Sequence, residues 1–242
     1  MNTVIGAQRR GHFFFVVMAT AVIAAVFSGF EPTFYFRGFH SQTRPMSVLL
    51  HVHGIIFSVW VVLFLAQTLL IARGNYRWHR RLGWALAGVA AAMIVLVILA
   101  MVEELRRVNG FPPPPLALAL SAFDILVFGV LVGSALYLRR LPDWHKRLMI
   151  SATIVLLGAP MFRLVTHRFG IHDGTMIGVL STLMVDAFFI PCVAYDLITR
   201  RAIHPAYLLG IGLIVADQIA QIEVVDWTPW IDFSTAMQRL VN

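Results

Sequence analysis

The side chains that could do chemistry in this chain are His51 and His53, Asp124, Arg163, Asp186, and the trio Asp217, Gln218 and Gln221, each set inside a stretch of apolar residues. A charge near the middle of an apolar helix in a bilayer costs about 2.5 kcal/mol or more, so groups kept there bind something, move something or pair with one another. Histidine with aspartate is a ligand set for zinc, iron or copper, and helices projecting such residues into a bundle core can build a metal site. Spacing restricts the choice. His51 and His53 lie two positions apart, about 200° around a helix, so one faces a shared site while the other faces lipid or a neighbouring helix. Asp217 and Gln221 are four apart and share a helix face, and Ser121 with Asp124 repeats the theme at three. The expectation is a polar pocket in one half of the membrane, with His51, His53, Asp124 and Asp217 as candidate metal ligands. Asp124, Arg163, Asp186, Asp217 and Gln221 form its charge network. The same residues without a metal read as a buried polar network fixing helix register, or as a proton relay. Pro160 and Pro191 strengthen the pocket, because each frees the carbonyl four residues earlier and kinks its helix beside Arg163 or Asp186.

A second set of residues is duplicated. "RWHRRLGW" begins at Arg77 and "DWHKRLMI" at Asp143, and at an offset of 66 Phe57 matches Phe123, Arg73 matches Arg139, and Trp78-His79-Arg80-Arg81-Leu82 matches Trp144-His145-Lys146-Arg147-Leu148. The plain reading of this pentad is an anchor: tryptophan in the headgroup layer, basic residues on lipid phosphate, leucine starting the buried stripe. The chemical reading is that His79 and His145 ligate a haem whose propionates meet Arg81 and Arg147. A looser third copy is "YDLITRRAIHP", with Arg200, Arg201 and His204.

These residues need helices to position them. Of 242 residues, 59% are hydrophobic and 13% charged, far from the balance of a soluble globular domain. Apolar stretches at about 12–30, 47–72, 80–102, 115–138, 146–167, 175–198 and 204–224 are near the length that crosses a bilayer. They are separated by breakers such as "ARGNYRW", "VNGFPPPP" and "LRRLPDW". The fold class expected is all-α: a single polytopic domain over 1–242 with seven transmembrane helices in repeated hairpins. The repeat units run over about 47–103 and 115–168, with the looser third over 175–224. An interfacial tail at 225–242 carries Trp227, Trp230 and Phe233 as an aromatic belt. The net charge of +7 is dispersed in short clusters between apolar stretches, which encodes topology rather than nucleic-acid binding. Arg9, Arg10, Arg73, Arg77, Arg80, Arg81, Arg139, Arg140, Lys146, Arg147, Arg200 and Arg201 all fall on one face of the membrane. That places the N-terminus in the cytoplasm and the C-terminus outside, in a bacterial inner membrane. Cys192 is the one cysteine, a small core residue that excludes an intramolecular disulfide. The single lysine, Lys146, lies at a turn and excludes a retinal Schiff base, and no phosphate loop, HExxH or nucleophile elbow occurs.

Over "HVHGIIFSVWVVLFLAQTLLIARGNYRWHRRLG" and "DWHKRLM" the chain resembles uncharacterised bacterial multi-pass membrane proteins that carry a histidine near the outer start of one helix and basic His-Arg-Arg-Leu-Gly turns at its inner end. The resemblance covers helices two to five and implies a fold. Cytochrome-b-like bundles are a weaker resemblance and imply haem b between facing histidines. Three readings stand together. The protein binds a transition metal (Zn, Fe or Cu) or haem b and is of redox or hydrolytic type; it is an accessory or assembly subunit meeting lipids and other membrane subunits; or it carries protons or small solutes, with Asp124, Asp186 and Asp217 as a relay.

Overall fold

The computed structural model describes residues 2–39, 46–106 and 114–241, with the backbone alone at 2–12 and 114. Arg9 and Arg10 therefore contribute no side-chain geometry, and most of "GFHSQTRP" and "VNGFPPPP" lies outside the described residues. The elements are α1 (Asn2–Phe30), continued by a π turn (Glu31–Tyr35), α2 (Val48–Ala72), α3 (Tyr76–Leu105), α4 (Pro114–Tyr137), α5 (Pro142–Val155), α6 (Gly158–Arg163), continued by a π turn (Leu164–Arg168), α7 (Gly174–Ala187), α8 (Phe189–Arg200), α9 (Pro205–Val225) and α10 (Thr228–Val241). No strand occurs among the described residues.

Among the described residues seven helical spans are long and apolar enough to cross a membrane, α5 with α6 and α7 with α8 each making one span. The two breaks follow from proline. Pro160 has no N–H to give Leu156, and span five interrupts at Leu156–Leu157; Pro191 has none for Ala187, and span six interrupts at Phe188. Span starts carry their own start signals. Ser47 Oγ, Asn75 Oδ1 and Asp173 Oδ1 accept the N–H of Leu50, Trp78 and Met176, while Pro142 and Pro205 open α5 and α9. Between α2 and α3, Gly74 takes a φ of 72° that a side chain would resist.

Span five is the centre of the bundle: 67% of its most apolar window is buried, against 22–44% in the others. Hairpins α2–α3 and α4–α5 pack internally, α4 joins them through α3 and α9, and α1 closes against α2 and α6. At the α1–α6 crossing a Cβ on Gly29 would lie 2.7 Å from Pro160 Cα, so only glycine permits that approach. The outward faces carry exposed Val62, Val95, Leu126, Leu183, Ile198, Leu208 and Ile222, a surface that suits hydrocarbon rather than water.

The tail takes regular structure. It is a helix, α10, that docks on α3 and α4. Trp230 Nε1 donates to Pro115 O at 2.9 Å and its ring stacks on Phe123 at 6.0 Å, while Trp227 and Phe233 stay exposed. Ser234 is buried in this contact, and the indole N–H finds the carbonyl partner that a buried tryptophan needs.

Candidate functional site

Two polar centres lie at different depths. The deeper one joins α4 and α9 beside the break in span five. One turn in from Ser121, Asp124 reaches across to α9, where Asp217 and Gln221 are both buried. The Gln221 amide donates to Asp124 Oδ1 at 2.9 Å and to Asp217 Oδ2 at 3.1 Å, so one neutral group bridges two carboxyls without balancing their charge. Asp217 Oδ1 is buried and has no hydrogen-bond partner among the described residues. A Cβ on Gly158, the first residue after the break, would lie 3.1 Å from Asp124 Oδ2, so the interrupted backbone abuts the carboxyl pair.

The remaining pocket candidates are not drawn into this cluster. Asp186 is held by Gln218 at 3.0 Å, on another face of α9. Arg163 lies over the Phe30 ring at 4.7 Å and donates to Ala159 O at 3.3 Å. It lines a cleft of about 740 Å³ with Glu31, His167, Arg168, Phe27 and Phe169. Asp124 and Asp186 take their hydrogen bonds from the two glutamines rather than from Arg163. The two histidines of α2 diverge as a 200° separation requires: His51 is exposed and its ring bonds Ser47 O at 2.8 Å, whereas His53 turns inward and stacks on Phe57 at 4.3 Å. No three His, Cys, Asp or Glu side chains gather to hold a metal ion among the described residues. The candidate ligand set His51, His53, Asp124 and Asp217 is therefore not assembled.

The second centre is at the basic turns. Arg147 and Asp196 are 1% and 0% exposed. Arg147 Nε donates to both Asp196 oxygens at 3.1 and 3.0 Å and Nη2 donates to Oδ1, while Nη1 donates to Asp143 O at 3.0 Å and Oδ1 at 3.1 Å. Asp196 Oδ2 also accepts the His204 N–H at 2.9 Å, and Arg147 sits 5.5 Å from the Tyr207 ring. This corrects the expectation that Arg147 meets lipid phosphate or a propionate, because its guanidinium is enclosed and engaged. Its counterpart Arg81 is exposed, over the Trp78 ring at 5.5 Å, so the two copies of the pentad have diverged in environment.

Sequence reading missed Asp196. The available signal was its place in the last turns of a helix, where the macrodipole disfavours an anion and a buried cation must compensate. Here too His204 Nδ1 accepts the Ala206 N–H at 3.1 Å and caps α9. Burial, then the charges of Arg147 and Arg200, hold this imidazole below its ordinary pKa. The duplicated histidines converge: the rings of His79 and His145 are 6.3 Å apart at 83°, and Trp144 meets His204 at 5.2 Å.

Compared with protein-family models, curated proteins and solved structures, the chain finds no match. The class that fold and site define is a helical protein with seven spans fit for a membrane, carrying a carboxyl pair within it.

Proposed function

We propose that the protein moves protons across a bacterial inner membrane, alone or coupled to a small solute, with Asp124 and Asp217 as the exchanging groups. The observation that carries this reading is the carboxyl pair bridged by Gln221 against the broken turn of span five. Two carboxyls close together in a low-dielectric interior are stabilised by one shared proton, and a group that holds a proton within a membrane can pass it on. Helix interruptions supply what such a site needs, because carbonyls freed by Pro160 and Pro191 become acceptors and the breaks become hinges. Gln221 positions both acids. The excess of arginine at the turns after α2, α4 and α8 favours placing that end in the cytoplasm. The pair then sits in the outer half, below α10.

The test uses the full chain in liposomes with an internal pH dye and a potassium diffusion potential. Wild-type protein should acidify or alkalinise the lumen with the sign of the potential, and Asp124→Asn and Asp217→Asn should each abolish that flux while leaving folding intact. Flux at the level of empty liposomes, or asparagine variants that conduct like wild type, would overturn the reading.

A further inference from the structure

We infer that His79 and His145 form a two-imidazole site for a transition-metal ion at the basic end of the bundle, separate from the carboxyl pair. The duplication puts both residues at the same place in their hairpins, one turn into α3 and α5, and these helices both pack on α4. Two imidazoles trans to one metal, each with a metal–nitrogen bond of about 2.0–2.1 Å and roughly 1.1 Å from nitrogen to ring centre, put their centroids about 6.3 Å apart. The observed separation is 6.3 Å.

Three local observations point to an absent electrophile. His145 Nδ1 is 2.8 Å from Ala135 O, so it carries the proton and leaves Nε2 with its lone pair; a ligating histidine is held by its other nitrogen in this way. The His79 ring meets the Gln67 backbone, yet its Nδ1 is buried with no hydrogen-bond partner among the described residues. Gln67, 6% exposed, has its Oε1 buried and unpartnered, with its amide nitrogen 3.6 Å from where a Cβ of Gly83 would stand, one turn beyond His79 on the same face. Orphaned acceptors beside an available imidazole lone pair call for a cation or a donor. Imidazole suits zinc, copper and iron, and two sources share this chemistry: a free ion, or the iron of a haem. The surroundings distinguish them. Arg80, Arg81 and Arg139 flank the pair in sequence, Lys146 being paired with Asp143, and cations there repel a bare dication but attract the carboxylates of a porphyrin.

The experiment titrates the purified full chain in mild detergent with hemin in one arm and with Zn(II) or Co(II) in the other. Hemin giving a six-coordinate low-spin spectrum in wild type, turning high-spin or lost in His79→Gln and in His145→Gln, supports the haem source. Stoichiometric Zn(II), with a Co(II) ligand-field band that disappears in the same variants, supports the free ion. The low-spin spectrum is read on wild type, so the test survives a variant that fails to fold. Binding of neither probe by wild type, or equal binding by His79→Gln/His145→Gln, would overturn the inference. Both readouts are independent of proton flux, so this failure and that of the carboxyl pair are told apart.

Discussion

Removing the carboxylate of Asp196 should be among the most damaging single changes in the molecule. In Asp196→Ala, Arg147 loses three of its five hydrogen bonds, those from Nε and Nη2, and keeps only the two from Nη1 to Asp143, whose side chain is 51% exposed. Leaving one partner of a buried ion pair alone costs about 3–5 kcal/mol, and the surviving bonds to Asp143 place the cost near the lower end. The His204 N–H, which starts α9, loses its acceptor as well, worth about 1 kcal/mol. The expected loss is about 3–4 kcal/mol. Replacing both partners by apolar residues of similar volume, Arg147→Met with Asp196→Leu, removes the desolvation cost along with the attraction, and should leave stability within about 1 kcal/mol of wild type. The assay is equilibrium unfolding in mixed micelles by sodium dodecyl sulfate titration, read by tryptophan fluorescence, with the four corners of the double-mutant cycle. Asp196→Ala lying within about 0.5 kcal/mol of wild type, or the double variant being no better than Asp196→Ala, would refute the argument that this pair is an interdependent buried unit.

Two further outcomes follow from the same geometry. A Cβ on Gly210 would lie 2.7 Å from Ser151 Cβ, so Gly210→Ala should push α9 off α5 and lower stability by about 1–3 kcal/mol, with Ser151→Gly restoring part of it in a thermal unfolding assay. The folded state holds His204 below its ordinary pKa, so the unfolded chain binds its proton more readily. Stability from this group is complete above about pH 6.5 and is lost as pH falls toward the folded value. Unfolding midpoints measured across that range should fall on acidification, and His204→Asn, which keeps a capping acceptor but does not titrate, should flatten the slope.

The membrane-crossing architecture was legible in the sequence because span length, apolar content and breakers are local properties: each of the seven expected stretches coincides with a helix long and apolar enough to cross. Pro160 and Pro191 gave the positions of both interruptions for the same reason. Partnerships were harder, since they depend on which helices become neighbours. Of the network expected of Asp124, Arg163, Asp186, Asp217 and Gln221, the structure brings Asp124, Asp217 and Gln221 together, because α4 packs on α9. Asp186, one residue off that face through Gln218, forms its own pair. His53 was separable from His51 by angle, but the angle does not say what His53 faces. Arg147 shows the limit most clearly. Its pentad is spelled like that of Arg81, and only the central position of span five buries one copy while the other stays at the rim.

That central position also divides the molecule mechanically. The Arg147–Asp196 pair fastens α5 to α8, and through His204 to the start of α9, so all three are joined at the basic end by charge-assisted bonds. The interruptions at Leu156–Leu157 and Phe188 then separate those fastened halves from α6 and α7, which pack on each other on the far side of the breaks. The carboxyl pair of Asp124 and Asp217, where we propose proton exchange, sits beside one of those breaks. If transport requires the pair to face two sides in turn, the prolines place the hinges at the ends of α6 and α7, and a tilt there has to release the Asp186–Gln218 bond that ties α7 to α9. The tight crossing of Gly29 on Pro160 couples α1 to α6, while Phe14 of the same helix stacks on Tyr195 of α8 at 4.2 Å, so α1 bridges the two halves and the cleft bounded by Glu31 and Arg163 lies at its α6 end.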